Sequence, residues 1–273
     1  MSALRLAGLC PRPLVGISLY MSLSWLALAP LAFADPLADL DDAQARAEYA
    51  YYTADIRALE SIVQVIERLE VPASLATLQA HDAAYGRWKL AELYTASPNR
   101  EGKRSARTLA VESAQACLSH AKKALSLDAK MAEAQVLDSV CTAVARTPHS
   151  GDLLSSIPLC ARSKSFRAAL ELAPTNPRVM LMEGQCLYGN GSASSADAID
   201  RLRAVVAAFD AAPPSPAGHP QWGQAEALLL LGKNYLRRGD AHAARDVIEK
   251  ALVIAPDYRQ ARELLDTAAV RPR

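Results

Sequence analysis

Residues 225–258 read AEALLLLGKNYLRRGDAHAARDVIEKALVIAPDY, and this stretch decides the fold. Two segments rich in Ala and Leu flank a turn at Gly239, and Pro256 ends the second segment. Small side chains recur where two antiparallel helices would cross. They are Gly232, Ala244 and Ala251. The stretch therefore predicts a closely packed helix pair.

The same 34 residues resemble the tetratricopeptide repeat (TPR) family. Counted from Ala225, the signature positions 4, 7, 8, 11, 20, 24, 27 and 32 hold Leu228, Leu231, Gly232, Tyr235, Ala244, Ile248, Ala251 and Pro256. Leu228 stands where the family usually has Trp. The resemblance covers most of residues 38–270 but is strong only in the last fifth of the chain.

The whole chain favours helices. It contains 54 Ala and 38 Leu among 273 residues, and aromatic residues are only 5%. The resemblance implies an all-α, right-handed, TPR-like solenoid of about five antiparallel helix pairs. A capping helix over 257–270 would cover the last apolar face. Periodicity and stop signals predict helices at 38–52, 55–69, 74–96, 105–127, 130–146, 157–172, 177–188, 194–211, 221–237, 240–254 and 257–270.

Several connections are longer than a strict repeat allows. Long turns are predicted at 97–104, 147–157 and 189–195. The Pro-rich stretch 212–220 has two interpretations, a loop between repeats or a linker before the final repeat. We favour the loop, because Trp222 and the following helix need a neighbour that covers their apolar face.

The first 34 residues have the pattern of a secretory signal peptide. Arg5 and Arg12 precede an uncharged stretch, and Ala32-Phe33-Ala34 forms a small-x-small cleavage site. An uncleaved membrane anchor is the alternative. Cleavage after Ala34 would leave residues 35–273 as one helical domain, periplasmic or secreted, with no later segment long and apolar enough to span a membrane.

The sequence shows no enzyme motif and no local metal-ligand spacing. A catalytic or metal site at His149, Asp152 and Cys160 is the alternative to a solvated loop there. The basic cluster of Arg100, Lys103, Arg104 and Arg107 is likewise interpreted as a solvated loop, with phosphate binding as the alternative. The formal charge of +1 provides no global attraction for nucleic acid. We therefore expect a protein that is not an enzyme and has no metal and no cofactor.

Four cysteines follow the predicted signal peptide, an even number that favours disulfides in an oxidising compartment. Cys117 and Cys141 lie equally far from the turn at Ala129, and Cys160 and Cys186 lie similarly around Pro174. The predicted pairs are Cys117–Cys141 and Cys160–Cys186. A Cys141–Cys160 link and four buried free thiols remain alternatives.

TPR arrays usually bind peptides or partner helices on the concave face, which the first helix of each pair forms. Positions 2, 5, 9 and 12 of that helix point inward in the family. Applied to the last repeat and to weaker upstream repeats, this register gives eight candidate binding residues: Tyr85, Trp88, Glu92, Gln135, Ser139, Met182, Leu229 and Lys233. The resemblance implies an exported adaptor that binds a protein or peptide of the cell envelope for assembly, transport or secretion. A binder of small molecules or an accessory subunit of a transporter is the alternative.

Overall fold

The computed structural model describes residues 35–96, 105–146, 162–188 and 196–270. All of them belong to one compact unit, Asp35–Arg273. The predicted signal peptide and the predicted turns at 97–104, 147–157 and 189–195 lie outside the described residues, as do His149, Asp152 and Cys160.

The described residues form α-helices and no strand, as the composition predicts. The helices are α1 (Pro36–Tyr52), α2 (Ile56–Arg68), α3 (Ala76–Ala96), α4 (Ala106–Leu127), α5 (Ala132–Arg146), α6 (Lys164–Leu172), α7 (Pro177–Tyr188), α8 (Ala196–Ala211), α9 (Gln224–Arg238), α10 (Ala241–Ile254) and α11 (Arg259–Val270). A 3₁₀ turn, Ala73–Leu75, precedes α3.

Two predicted helices differ at their N-terminal ends. The helix predicted over 157–172 is not continuous, because Ser163 is the N-cap residue of α6, and its predicted start at 157 lies outside the described residues. The helix predicted from 221 begins at Gln224, because Gly223 has a φ of 116°, a left-handed conformation that glycine adopts without steric cost. This turn directs Trp222 into the core, where it is fully buried.

The helices pack as consecutive pairs. The pairs α1–α2, α3–α4, α5–α6, α7–α8 and α9–α10 are in contact, and each odd-numbered helix also contacts the next odd-numbered one. In the last pair, a Cβ atom added at Gly232 would lie 2.7 Å from Cγ1 of Ile248, so the close crossing predicted for this repeat is present. α11 packs on both α9 and α10.

The two ends of the described chain also contact each other. The hydroxyl of Tyr49 on α1 lies 3.3 Å from Oδ2 of Asp257, and the ring centres of Tyr52 and Tyr258 are 4.6 Å apart. In a linear solenoid each repeat contacts only its neighbours. Here α1 reaches the last repeat as well, so the odd-numbered helices enclose a common interior.

Residues 212–220, the Pro-rich stretch, pack against this same first helix. The amide of Gly218 and the side-chain amide of Gln221 both donate hydrogen bonds to Oδ1 of Asp41, at 2.9 and 2.8 Å. Gly218 is buried against Leu37 with a φ of 73°. The stretch therefore holds Trp222 and the start of α9 next to α1.

Candidate functional site

Aromatic rings from α3 and from the loop before α9 stack in the interior. The Trp222 ring lies nearly parallel to that of Tyr85, with centres 5.0 Å apart, and contacts Trp88 edge-on at 6.0 Å. His81 lies parallel to Trp222 at 6.5 Å. Both offset and edge-on arrangements are favourable for aromatic pairs. We call the group formed by these rings and by Gln44, Glu48, Asp82, Lys89, Arg178 and Glu226 the inner cluster. The rings form one wall of it.

A buried lysine lies beside this wall. Lys89 is 1% exposed, and its Nζ lies 3.1 Å from Oε2 of Glu92 and 3.6 Å from Oε1 of Glu226. The same ammonium lies over the rings of Trp88 and Tyr51, 3.8 and 4.3 Å from their centres. A buried charge requires such partners. The ammonium of Lys89 is therefore compensated within the protein.

Glu226 connects three helices at the centre of the cluster. Its carboxylate accepts hydrogen bonds from the hydroxyl of Tyr52 on α1 (2.8 Å), the hydroxyl of Tyr85 on α3 (3.3 Å) and the amide of Gly223 at its own helix start (3.1 Å). An acidic residue in the first turn also interacts favourably with the helix dipole. Glu226 thus fixes the position of α9 relative to α1 and α3.

A second group of polar side chains lies between α1 and α3. The side-chain amide of Gln44 donates to Oδ1 of Asp82 at 2.9 Å, and Nδ1 of His81 lies 2.9 Å from the same oxygen. All three residues are at most 2% exposed. Burial raises the pKa of Asp82, while its hydrogen bonds with His81 and Gln44 oppose the rise. Gln44, His81 and Asp82 are therefore held together in the interior by hydrogen bonds to one oxygen of Asp82.

Glu48 and Arg178 face the same region from α1 and α7. Burial, and then the negative charge of Glu226, raises the pKa of Glu48 to about 8, although Arg178 opposes this rise. Burial likewise lowers the pKa of Arg178. The Arg178 guanidinium lies 5.9 Å from the centre of the Trp222 ring. At neutral pH the protonated form of Glu48 predominates, so this carboxyl can donate as well as accept a hydrogen bond.

Six buried polar atoms of the inner cluster have no hydrogen-bond partner in the part of the chain that the structure describes. They are Oε1 of Gln44, Oε1 of Glu48, Nε2 of His81, Oδ2 of Asp82, Nε of Arg178 and Nε1 of Trp222. Buried polar groups are nearly always hydrogen-bonded in folded proteins. In folded proteins such groups are commonly paired by buried water, and a bound polar ligand would pair with them in the same way.

The structure places the predicted binding residues in different surroundings. Tyr85 and Trp88 belong to the aromatic wall, and Glu92 pairs with Lys89. Lys233 lies 3.3 Å from Oε1 of Gln260, and burial lowers its pKa despite Glu92. These four residues line the inner cluster or its edge.

The other four predicted binding residues have different surroundings. Met182 and Leu229 are 0% and 3% exposed within the hydrophobic core. Gln135 donates to the carbonyl of Ala129 before its own helix, and Ser139 lines a separate cavity beside α6. Of the eight predicted residues, Glu92, Gln135 and Lys233 are the partly exposed ones.

Sequence reasoning missed most of the polar residues that define the cluster: Gln44, Glu48, His81, Asp82, Lys89, Arg178, Trp222 and Glu226. One signal was available. Gln44 and Glu48 are four residues apart, on the face of α1 that also carries the buried Leu40 and Tyr51. Polar residues on a helix face that is otherwise buried indicate a polar site in the interior.

The structure joins Cys117 on α4 to Cys141 on α5 in a disulfide, with their Cα atoms 6.0 Å apart. This is the first predicted pair, and it is incompatible with a Cys141–Cys160 link. The second predicted pair includes Cys160, which lies outside the described residues.

Within the described ranges, no three His, Cys, Asp or Glu side chains are grouped closely enough to hold a metal ion. The helices in these ranges include none that is long and apolar enough to cross a membrane. The chain matches no known protein-family profile, and no curated protein is detectably similar to it.

Proposed function

We propose that this protein is a non-enzymatic, exported scaffold of TPR-like helix pairs that binds a protein or peptide partner in the cell envelope. The close crossing of α9 and α10 at Gly232 carries this proposal, because it supports the TPR register from which the inward-facing residues follow. The signal-peptide pattern before Ala34 supports export, and the Cys117–Cys141 disulfide is compatible with an oxidising compartment.

Site-specific photocross-linking in the exported protein tests this function. A photoreactive phenylalanine would replace Gln135 or Lys233, which are only partly buried inner-face candidates, and in a control would replace Val253, which is 82% exposed on α10. We expect a protein adduct of defined mass from the inner-face positions and none from Val253. Adducts of equal yield at all positions, or no adduct at any, would contradict a partner held on the inner face.

A second function, binding of a small polar molecule, is favoured by one observation: six unpaired polar atoms lie beside a wall of stacked aromatic rings. Donors come from Arg178 and Trp222, and acceptors come from Gln44, Glu48 and Asp82. A small molecule with both kinds of group would pair with both sets. This enclosed arrangement suits a small ligand better than an extended peptide.

Mass spectrometry of material released on denaturation distinguishes the two functions. Protein purified gently from exporting cells would release a small molecule in amounts comparable to the protein, and the Gln44→Leu variant would release much less. The Arg245→Leu variant, changed on the exposed face of α10, serves as the control. Recovery of the same compounds in equal amounts from all three proteins would argue against this second function.

A further inference from the structure

A second polar region lies between α4, α5 and the start of α6. It is a cavity of about 580 Å³. Its lining is dominated by basic and hydroxyl side chains.

The cavity carries an excess of positive charge. Lys122, Arg146, Arg162 and Lys164 line it, and within the described residues none of these four cations forms an ion pair. The one acidic residue in the lining is Asp138. With four cations and one carboxylate, the formal charge of the lining is 4 − 1 = +3.

Hydroxyl groups complete the lining. Ser165 donates to Oδ2 of Asp138 at 2.5 Å, which engages the one carboxylate. Ser163, the N-cap residue of α6, makes no side-chain capping hydrogen bond, so the first amides of α6 receive no bond from it. Cationic side chains thus reach the cavity from α4, α5 and the start of α6, and Thr142 and Ser163 add hydroxyl groups to the lining.

We propose that this cavity binds a phosphate group. Several cations with hydroxyl donors around one space complement a multiply charged oxyanion, and guanidinium groups match its geometry with paired hydrogen bonds. The cavity is large enough for phosphate with an attached organic group. A free phosphate ester and the headgroup of an anionic phospholipid share this chemistry. The proposal is independent of the inner cluster and of the function proposed for it.

Isothermal titration of the mature protein with inorganic phosphate and with glycerol 3-phosphate tests the cavity. The double variant Lys122→Gln, Arg146→Gln is compared with Lys250→Gln, Arg238→Gln, which removes the same charge from exposed positions on α9 and α10. We expect the dissociation constant to rise at least about tenfold in the cavity variant and to change little in the matched variant. Circular dichroism of all three proteins checks that the helices are intact.

Sedimentation with vesicles of phosphatidylglycerol, compared with phosphatidylcholine vesicles, identifies the source of the phosphate. If the wild-type protein sediments with phosphatidylglycerol vesicles and the cavity variant does not, the ligand is a lipid headgroup. If the protein binds phosphate in the titration but does not sediment with these vesicles, the ligand is a free phosphate ester. Equal weakening in the cavity and matched variants would show an unspecific charge effect and overturn the proposal. The absence of binding of every probe to the wild-type protein would overturn it as well.

Discussion

The hydroxyl of Tyr52 on α1 donates a 2.8 Å hydrogen bond to the carboxylate of Glu226 on α9, across 174 residues of sequence. The same carboxylate accepts from Tyr85 on α3 and lies 3.6 Å from the ammonium of Lys89. The first and last repeats are therefore held together through a buried anion that several side chains share. Removing one of its donors leaves a partly unsatisfied charge in the interior.

We therefore expect Tyr52→Phe to lower the free energy of unfolding by roughly 1–3 kcal/mol, because a hydrogen bond to a buried charged group is lost. Urea unfolding followed by circular dichroism measures the change. Tyr49→Phe is the matched control, since Tyr49 is exposed and bonds to Asp257 at 3.3 Å. It should change stability by less than about 0.5 kcal/mol. Equal effects of the two substitutions would contradict a central role for the Glu226 carboxylate.

Glu48 should make the fold less stable as the pH rises. Its pKa is about 8 in the folded protein, against an ordinary value of 4.5, so the folded state binds a proton more tightly than the unfolded state does. Its contribution is fully present below pH 4.5 and is lost progressively as the pH rises to about 8. Thermal unfolding between pH 5 and pH 8.5 measures the trend.

Glu48→Gln mimics the protonated carboxyl and should flatten that dependence. We expect this variant to gain stability over the wild type as the pH increases, and to be the more stable of the two near pH 8.5. Glu249→Gln, which removes one carboxylate from the exposed face of α10, serves as the control. If Glu48→Gln also follows the wild-type curve at every pH, Glu48 is ionised in the folded protein, and the free-energy cost of burying its charge is compensated there.

The crossing of α9 and α10 has no room for a side chain at Gly232. A Cβ there would lie 2.7 Å from Cγ1 of Ile248 and 3.4 Å from Cγ2 of Val247. Gly232→Leu should therefore lower the free energy of unfolding by about 1–3 kcal/mol or more, the usual range for overpacking. Guanidinium unfolding measures the loss.

Combining Gly232→Leu with Ile248→Ala tests the cause. Removing the Ile248 side chain makes space for the new leucine. The double variant should therefore lose less free energy of unfolding than the sum of the losses of the two single variants, as is expected for residues in contact. Purely additive losses would place the strain elsewhere and contradict the close approach of these two residues.

The helices of this protein could be predicted from sequence because their determinants are local. Leu and Ala periodicity, together with turns such as Gly239, place the predicted α2 and α7 within one residue of the observed bounds. The start of α9 could not be predicted, because it depends on the left-handed conformation of Gly223 and on the burial of Trp222.

The inner cluster could not be predicted because its determinants are not local. Glu48, Lys89 and Glu226 lie far apart in the chain, and only the approach of α1 to the last repeat brings them together. A repeat register assigns an inward direction to Tyr85 and Trp88, but it does not tell whether those rings meet solvent or Trp222. The stacking of Tyr85 on Trp222 follows from the path of residues 212–220 along α1.

The disulfide between Cys117 and Cys141 should contribute strongly to stability. It links the second helix of one pair to the first helix of the next, and its cysteines are 24 positions apart. In the chain-entropy account, closing a loop of this size restricts the unfolded chain by roughly 3–4 kcal/mol. The Cys117→Ala, Cys141→Ala variant should lose about that much stability, as urea unfolding would show.

Peptide mapping without reduction checks the connectivity on which this prediction depends. Protein exported to an oxidising compartment should yield a linked peptide pair containing Cys117 and Cys141. Adding a reductant should then destabilise the wild-type protein more than the double alanine variant, because the variant has already lost this link. A peptide joining Cys141 to Cys160 would contradict the observed disulfide. So would a reductant effect of the same size in both proteins, since it would place the stabilising link elsewhere in the chain.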